Sequence, residues 1–153
     1  MDKKTIQELI DRYVSVSFEV NKKAESLIKS QIEEDLTIDQ HYIIGYIKNT
    51  KECTSSELAE AFEVNKSAIT AIINRLADKG LIERTRDEND RRVVYLTLSD
   101  KGQELIQKTQ EKVHLLVESL ITQFDEAEIT NFINTYEKLA QILTNMKKEE
   151  LGE

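Results

Sequence analysis

Apolar residues recur every three or four positions along most of the chain, the pattern of helices with one buried stripe. Ile6, Leu9, Ile10, Tyr13, Val20, Leu27 and Ile28 predict a first helix over about 4–32. Helices over 38–49, 55–61, 66–79, 100–123 and 126–147 follow. Their starts are well marked. Thr37 with Gln40, Thr54 with Glu57, and Asp125 with Glu128 have the spacing of a capping box, in which each end of the pair satisfies one orphan backbone N–H. Phe124 and Ile129 fit a hydrophobic staple around the last of these, and Asn65 and Ser99 are good single caps.

The pattern changes after Gly80. Residues 81–86 can form a strand, and Val93-Val94-Tyr95-Leu96-Thr97-Leu98 is β-branched and aromatic. The polar run 87–92 between them predicts a β-hairpin with a charged tip. Two short helices, a turn, a longer helix and such a hairpin are the parts of a winged helix-turn-helix.

The helix over 66–79 has an outer face fit for reading DNA. On a helical wheel centred on Ile69, the side chains of Ile72, Ile73 and Leu76 stand close on either side of it, one tight apolar stripe. Thr70, Asn74, Ser67, Ala71 and Arg75 spread over the opposite face. Asn and Arg can hydrogen-bond base edges at two points, and Ala and Thr can touch a thymine methyl. Lys66, on the flank between the two faces, can reach a phosphate, and the helix start offers free N–H groups to another.

Composition sharpens this reading. Proline is absent and glycine occurs four times, which favours a mostly helical chain over a sandwich, a barrel or a glycine-rich nucleotide fold. One cysteine, Cys53, excludes a disulfide framework and a multi-cysteine zinc site. No apolar run approaches the ~20 residues of a membrane span, and the first residues lack a signal-peptide core, so the expected compartment is the cytoplasm. The net charge of −8 argues against a general nucleic-acid binder, but five of the six arginines lie between Arg75 and Arg92. Over 75–92 the six basic and five acidic groups nearly cancel, so any DNA contact must work at short range, within a Debye length of about 8–10 Å.

The stretch from Ala68 to Gly102 closely resembles the MarR family of bacterial transcription regulators. The family's wing pattern, Asp-x-Arg, five residues, then Leu-Thr, falls on Asp90, Arg92, Leu98 and Ser99, with serine in place of threonine. Its Arg-Leu-x-x-x-Gly-Leu-[Val/Ile]-x-Arg run falls on Arg75, Leu76, Gly80, Leu81, Ile82 and Arg84. Leu36-Thr37 with Gln40, and Leu58-Ala59, also match. The motifs cover roughly 36–105, and the element order matches over the whole length.

The resemblance implies a homodimeric, sequence-specific regulator, a repressor released by a small-molecule effector, on a pseudo-palindromic double-stranded operator. It implies a reading helix in the major groove, with Lys66, Ser67, Thr70, Ala71, Asn74 and Arg75 toward DNA. It also implies a minor-groove arginine at the wing, Arg92, oriented by Asp90 and flanked by Arg86 and Arg91. The expected division is an N-terminal dimerisation helix over 1–35, the winged helix-turn-helix over 36–102, and C-terminal dimerisation helices over 103–153.

The two ends carry more apolar stripe than one small reading head can cover, which calls for a second copy across a two-fold axis. Ile6, Ile10 and Tyr13, Leu116 and Leu120, and Phe132, Tyr136, Leu139 and Leu143 are the expected dimer contacts. No catalytic constellation, cofactor site or membrane partner is expected. Glu111, His114 and Glu118 share a helix face, but with His41 as the only other histidine they make a poor metal set. Cys53 precedes a capping box, where a helix N-terminus would lower its pKa somewhat. The alternatives are a winged-helix interaction module without DNA binding, and a metal- or redox-responsive member of the family.

Overall fold

The computed structural model describes residues 1–33 and 35–152. Its elements run α1 (Lys3–Gln31), α2 (Ile38–Asn49), α3 (Ser55–Ala61), α4 (Lys66–Asp78), β1 (Ile82–Arg86), β2 (Val94–Leu98), α5 (Asp100–Ile121) and α6 (Glu126–Leu151). Two compact units divide the chain at Val113 and His114. The first, residues 1–113, holds the helix-turn-helix and the hairpin. The second, residues 114–153, holds the end of α5 and all of α6.

The helix starts follow the capping chemistry. Thr37, Thr54 and Asp125 each accept from the backbone N–H three residues on, and Gln40, Glu57 and Glu128 each return a side-chain oxygen to the cap. Asn65 caps α4 through Ala68, and Ser99 Oγ accepts from the Gly102 N–H at 3.0 Å. The last helix departs from the expected end at 147 and runs on to Leu151. The apolar stripe stops at Met146, but Lys147-Lys148-Glu149-Glu150 are strong helix formers and Gly152 closes the helix in the left-handed region. Similarly α5 ends at Ile121 rather than 123, and each strand is one residue shorter than expected at its first position.

The core of the first unit gathers Leu36, Ile43, Ile44, Ile47, Leu58, Ile69, Ile73, Leu76, Leu81, Ile82, Leu96 and Ile106. Burying each such side chain contributes about 1.5–3 kcal/mol. Thus the inward stripe of α4, which holds Ile69, Ile73 and Leu76, fixes the opposite face outward.

Two glycines set the joint between α4, the hairpin and α5. Gly80 has φ 71°, and its N–H and that of Leu81 close α4 onto the Ala77 and Leu76 carbonyls. A Cβ on Gly102 would lie 2.1 Å from the Leu81 carbonyl oxygen, so only glycine lets α5 start this close to β1. Ser99 completes the joint: its N–H donates to Leu81 O at 3.0 Å and its hydroxyl to Gly80 O at 2.6 Å.

The hairpin is antiparallel, with Ile82 opposite Leu98 and Arg86 opposite Val94. Cys53 adds a single bridge on the other side of β2, where the Leu96 N–H donates to its carbonyl at 2.7 Å. That bridge corrects the expectation for the thiol. Cys53 is wholly buried, and burial, with Glu57 nearby, pushes its pKa up to about 11. The lost hydration of a thiolate outweighs the helix N-terminus. His41 is buried too, and its Nδ1 has no hydrogen-bond partner among the described residues.

Candidate nucleic-acid interface

Every expected residue of the reading helix faces solvent: Lys66, Ser67, Thr70, Ala71, Asn74 and Arg75 are all exposed. Their side chains are small, apart from the two cations, so the α4 backbone presents a low surface. Thr70 Oγ1 donates to the Lys66 carbonyl at 2.7 Å. Asn74 Oδ1 accepts from Arg84 Nη2 of β1 at 2.5 Å.

The wing tip is ordered by two aspartates. Asp87 Oδ1 accepts from the Asn89 and Asp90 N–H groups, both at 2.8 Å, and Oδ2 accepts from the Tyr95 hydroxyl at 3.1 Å. These donors hold the Asp87 carboxyl below the usual carboxylate range, and the same contact raises the Tyr95 hydroxyl. Asp90 then grips Arg92 at three points. Its Oδ1 accepts from Arg92 N at 3.1 Å and Nε at 3.0 Å, and its Oδ2 accepts from Nη2 at 3.1 Å. The fork lowers the Asp90 carboxyl and raises the Arg92 guanidinium. The Arg92 side chain is 91% exposed, so the guanidinium is held in one direction yet open to a partner.

The four expected wing residues therefore divide in role within the free protein. Arg92 and Asp90 form the tip. Arg86 Nη1 donates to the Arg91 carbonyl at 2.8 Å, a strut across the turn. Arg91 itself is exposed. Three contributors carry no assigned role in the sequence reading: Arg84, Asp87 and Tyr95. Asp87 had a readable signal, since an aspartate opening a polar turn commonly accepts from the N–H groups two and three residues on. Arg84 sits in the family run without an evident purpose. Tyr95 needed the strand register.

The expected dimer contacts are apolar and largely uncovered. In the first unit Ile6, Ile10 and Tyr13 are exposed, and α1 has no buried residue at all. In the second unit Leu120, Phe132, Tyr136 and Leu143 are exposed, Leu116 and Leu139 are half-buried, and the Phe132 and Tyr136 rings stack at 5.3 Å. Among the described residues no three His, Cys, Asp or Glu side chains gather as a metal ion would need, and no helix is long and apolar enough to cross a membrane.

The family model described as "MarR family" matches residues 34–93, which span the helix-turn-helix and the wing tip. The transcriptional repressor MdtR of Bacillus subtilis is 27% identical over 145 residues, covering 95% of this chain and 94% of that protein. The transcriptional regulator AdcR of Streptococcus pneumoniae is 30% identical over 99 residues, covering 63% and 67%. Among solved structures, FabT of Streptococcus pneumoniae in complex with DNA superposes with a TM-score of 0.77 at 28% identity, over 92% of this chain and 99% of that one. With the family model, the 30% identical relative and the superposed DNA-bound structure in agreement, the chain belongs to the MarR family of transcription regulators.

Proposed function

We propose that the chain is a sequence-specific DNA-binding regulator that works as a homodimer on a pseudo-palindromic operator, most simply as a repressor released by a small ligand. The observation that carries this reading is the Arg92 guanidinium, gripped by Asp90 yet almost wholly exposed at the wing tip. A cation so pre-ordered loses little freedom on entering a narrow minor groove, where the potential is most negative. The outward face of α4 supplies the companion major-groove surface. The DNA complex of FabT and the repressor MdtR support the same assignment by similarity.

In this proposal residues 36–102 read DNA, while residues 1–35 and 103–153 hold two copies together. A groove of about 900 Å³ between the end of α1 and the start of α2, lined by Lys22, Glu25, Ile28, Lys29, Thr37, Asp39 and Tyr42, is the place for a releasing ligand. The test is selection of bound duplexes from a random pool, then gel-shift and sedimentation on the selected sequence. Enrichment of a two-fold symmetric site, bound by two chains, supports the proposal. Failure to enrich any sequence, with the chain instead capturing a protein partner, rejects it for the interaction-module alternative.

A further inference from the structure

We infer that Asp87, steadied by Tyr95, is a positioning residue for Arg92: its carboxylate builds the turn that presents the wing arginine, and so aids DNA binding although its charge opposes it. This rests on the DNA-reading function proposed above. Three side chains at the hairpin tip are acids, Asp87, Glu88 and Asp90. On charge alone each would weaken binding to phosphate. Two of them have other work. Asp87 and Asp90 are half-buried, while Glu88, Asn89, Arg91 and Arg92 around them are exposed. Asp90 holds Arg92 directly. Asp87 holds Asp90 through the Asp90 N–H at 2.8 Å, and its second oxygen meets the Tyr95 hydroxyl of β2 at 3.1 Å.

Order runs from the strands to the tip. Tyr95 lies in the hairpin ladder, opposite Thr85. Two backbone bonds extend the ladder: Asp87 N–H donates to Val93 O at 2.9 Å, and Val93 N–H to Asp90 O at 3.0 Å. Beyond them the Asp87 carboxylate gathers the Asn89 and Asp90 N–H groups on one oxygen. An ionised carboxylate only accepts, so it takes both N–H groups and the hydroxyl at once. Alanine at 87 would leave those N–H groups to water and free the tip to vary, and Arg92 with it. A side chain that must then be ordered on binding costs affinity. Asparagine at 87 acts differently. Its oxygen still accepts the two N–H groups, and its amide can donate to the Tyr95 oxygen once that hydroxyl turns. The charge is removed and the turn is kept. If Asp87 were only a repelling charge, both variants would bind DNA more tightly. If it positions Arg92, Asp87→Ala binds more weakly and Asp87→Asn does not.

The test measures the affinity of the full chain, at physiological salt, for a duplex that the parent selects from a random pool. Asp87→Ala, Asp87→Asn and Tyr95→Phe are compared with the parent, each with and without Arg92→Ala. Asp87→Ala should bind about three- to tenfold more weakly, the cost of ordering one long side chain. Asp87→Asn should bind as tightly as the parent or tighter. Tyr95→Phe should lose about two- to threefold, the low end for one hydrogen bond. Both losses should vanish in the Arg92→Ala background, since the carboxylate acts through that arginine. Asp87→Ala that binds as tightly as the parent, or tighter, overturns the inference. So does an equal loss with and without Arg92, which would make Asp87 a general prop of the hairpin. A loss in Asp87→Asn as large as in Asp87→Ala overturns it too, because the acceptor oxygen should restore the turn. A parent that enriches no duplex instead overturns the DNA-reading function itself, a distinguishable result. Asp87 and Tyr95 stand outside the buried core, so the substitutions leave it intact.

Discussion

At the residue scale, the wing arginine and the buried histidine make opposite use of charge. Arg92 is charged, ordered and exposed. Arg92→Ala should weaken operator binding about ten- to a hundredfold while leaving the melting temperature nearly unchanged, as gel-shift and thermal melts would read. Equal affinity at physiological salt would remove the wing from the interface. His41 is buried, and lost hydration lowers its pKa from the ordinary 6.5. Its stabilising share is complete above about pH 6.5. Below that the unfolded chain takes up a proton the folded chain refuses, so stability falls with pH toward the folded pKa. His41→Phe should flatten the melting temperature between pH 7.5 and 5, and an unaltered slope would locate the titration elsewhere. The Asp90–Arg92 pair was legible in sequence because both partners lie two residues apart in one motif. The state of Cys53 was not, since its pKa answers to burial under β2, a contact over forty residues away in the chain.

At the scale of elements, most of the fold was open to reading because its punctuation is local. Capping boxes lie within four residues, and the 3.6-residue stripe of α4 lies within thirteen. Element ends were less legible, as α6 shows: its stop is set by Gly152 and not by the end of the apolar stripe at Met146. The joint between α4, β1 and α5 was not legible as a joint, since the contact of Gly102 with Leu81 appears only once the chain has turned twice. It yields a graded expectation. Gly80→Ala keeps ample space but forces alanine into the left-handed region, costing about 1–2 kcal/mol. Gly102→Ala meets a backbone oxygen at 2.1 Å and should cost more, with α5 displaced from the hairpin. Denaturant midpoints of the two variants check the order, and a milder Gly102→Ala would show that α5 can slide at no great cost.

At the scale of the whole molecule, charge and apolar surface have to be weighed together. The net charge of −8 per chain repels DNA at long range, so in the proposed function binding rests on the few close cations of α4 and the wing and should weaken as salt rises. Two copies are needed for enough contacts to single out one site among a genome's competitors. Phe132→Ala with Leu139→Ala should give monomers in sedimentation and lose operator binding in step with dimer content, because removing large side chains from a packed interface costs about 2–5 kcal/mol each. A double variant that stays dimeric would move the interface off this face of α6.

The bareness of α1 and α6 has a consequence for the cell. Helices of 29 and 26 residues with no buried residue in the single chain draw little support from their own fold. Helical stability in water comes mostly from packing of an apolar face, which in the proposed dimer the second copy supplies. Folding and pairing then become one equilibrium governed by mass action, and the melting temperature should climb with each tenfold rise in protein concentration. A concentration-independent melt would show that the single chain holds these helices alone. Where the climb is seen, the regulator keeps account of its own abundance: chains made in small number stay unpaired and open to proteolysis, and an operator is occupied only once synthesis has passed a threshold.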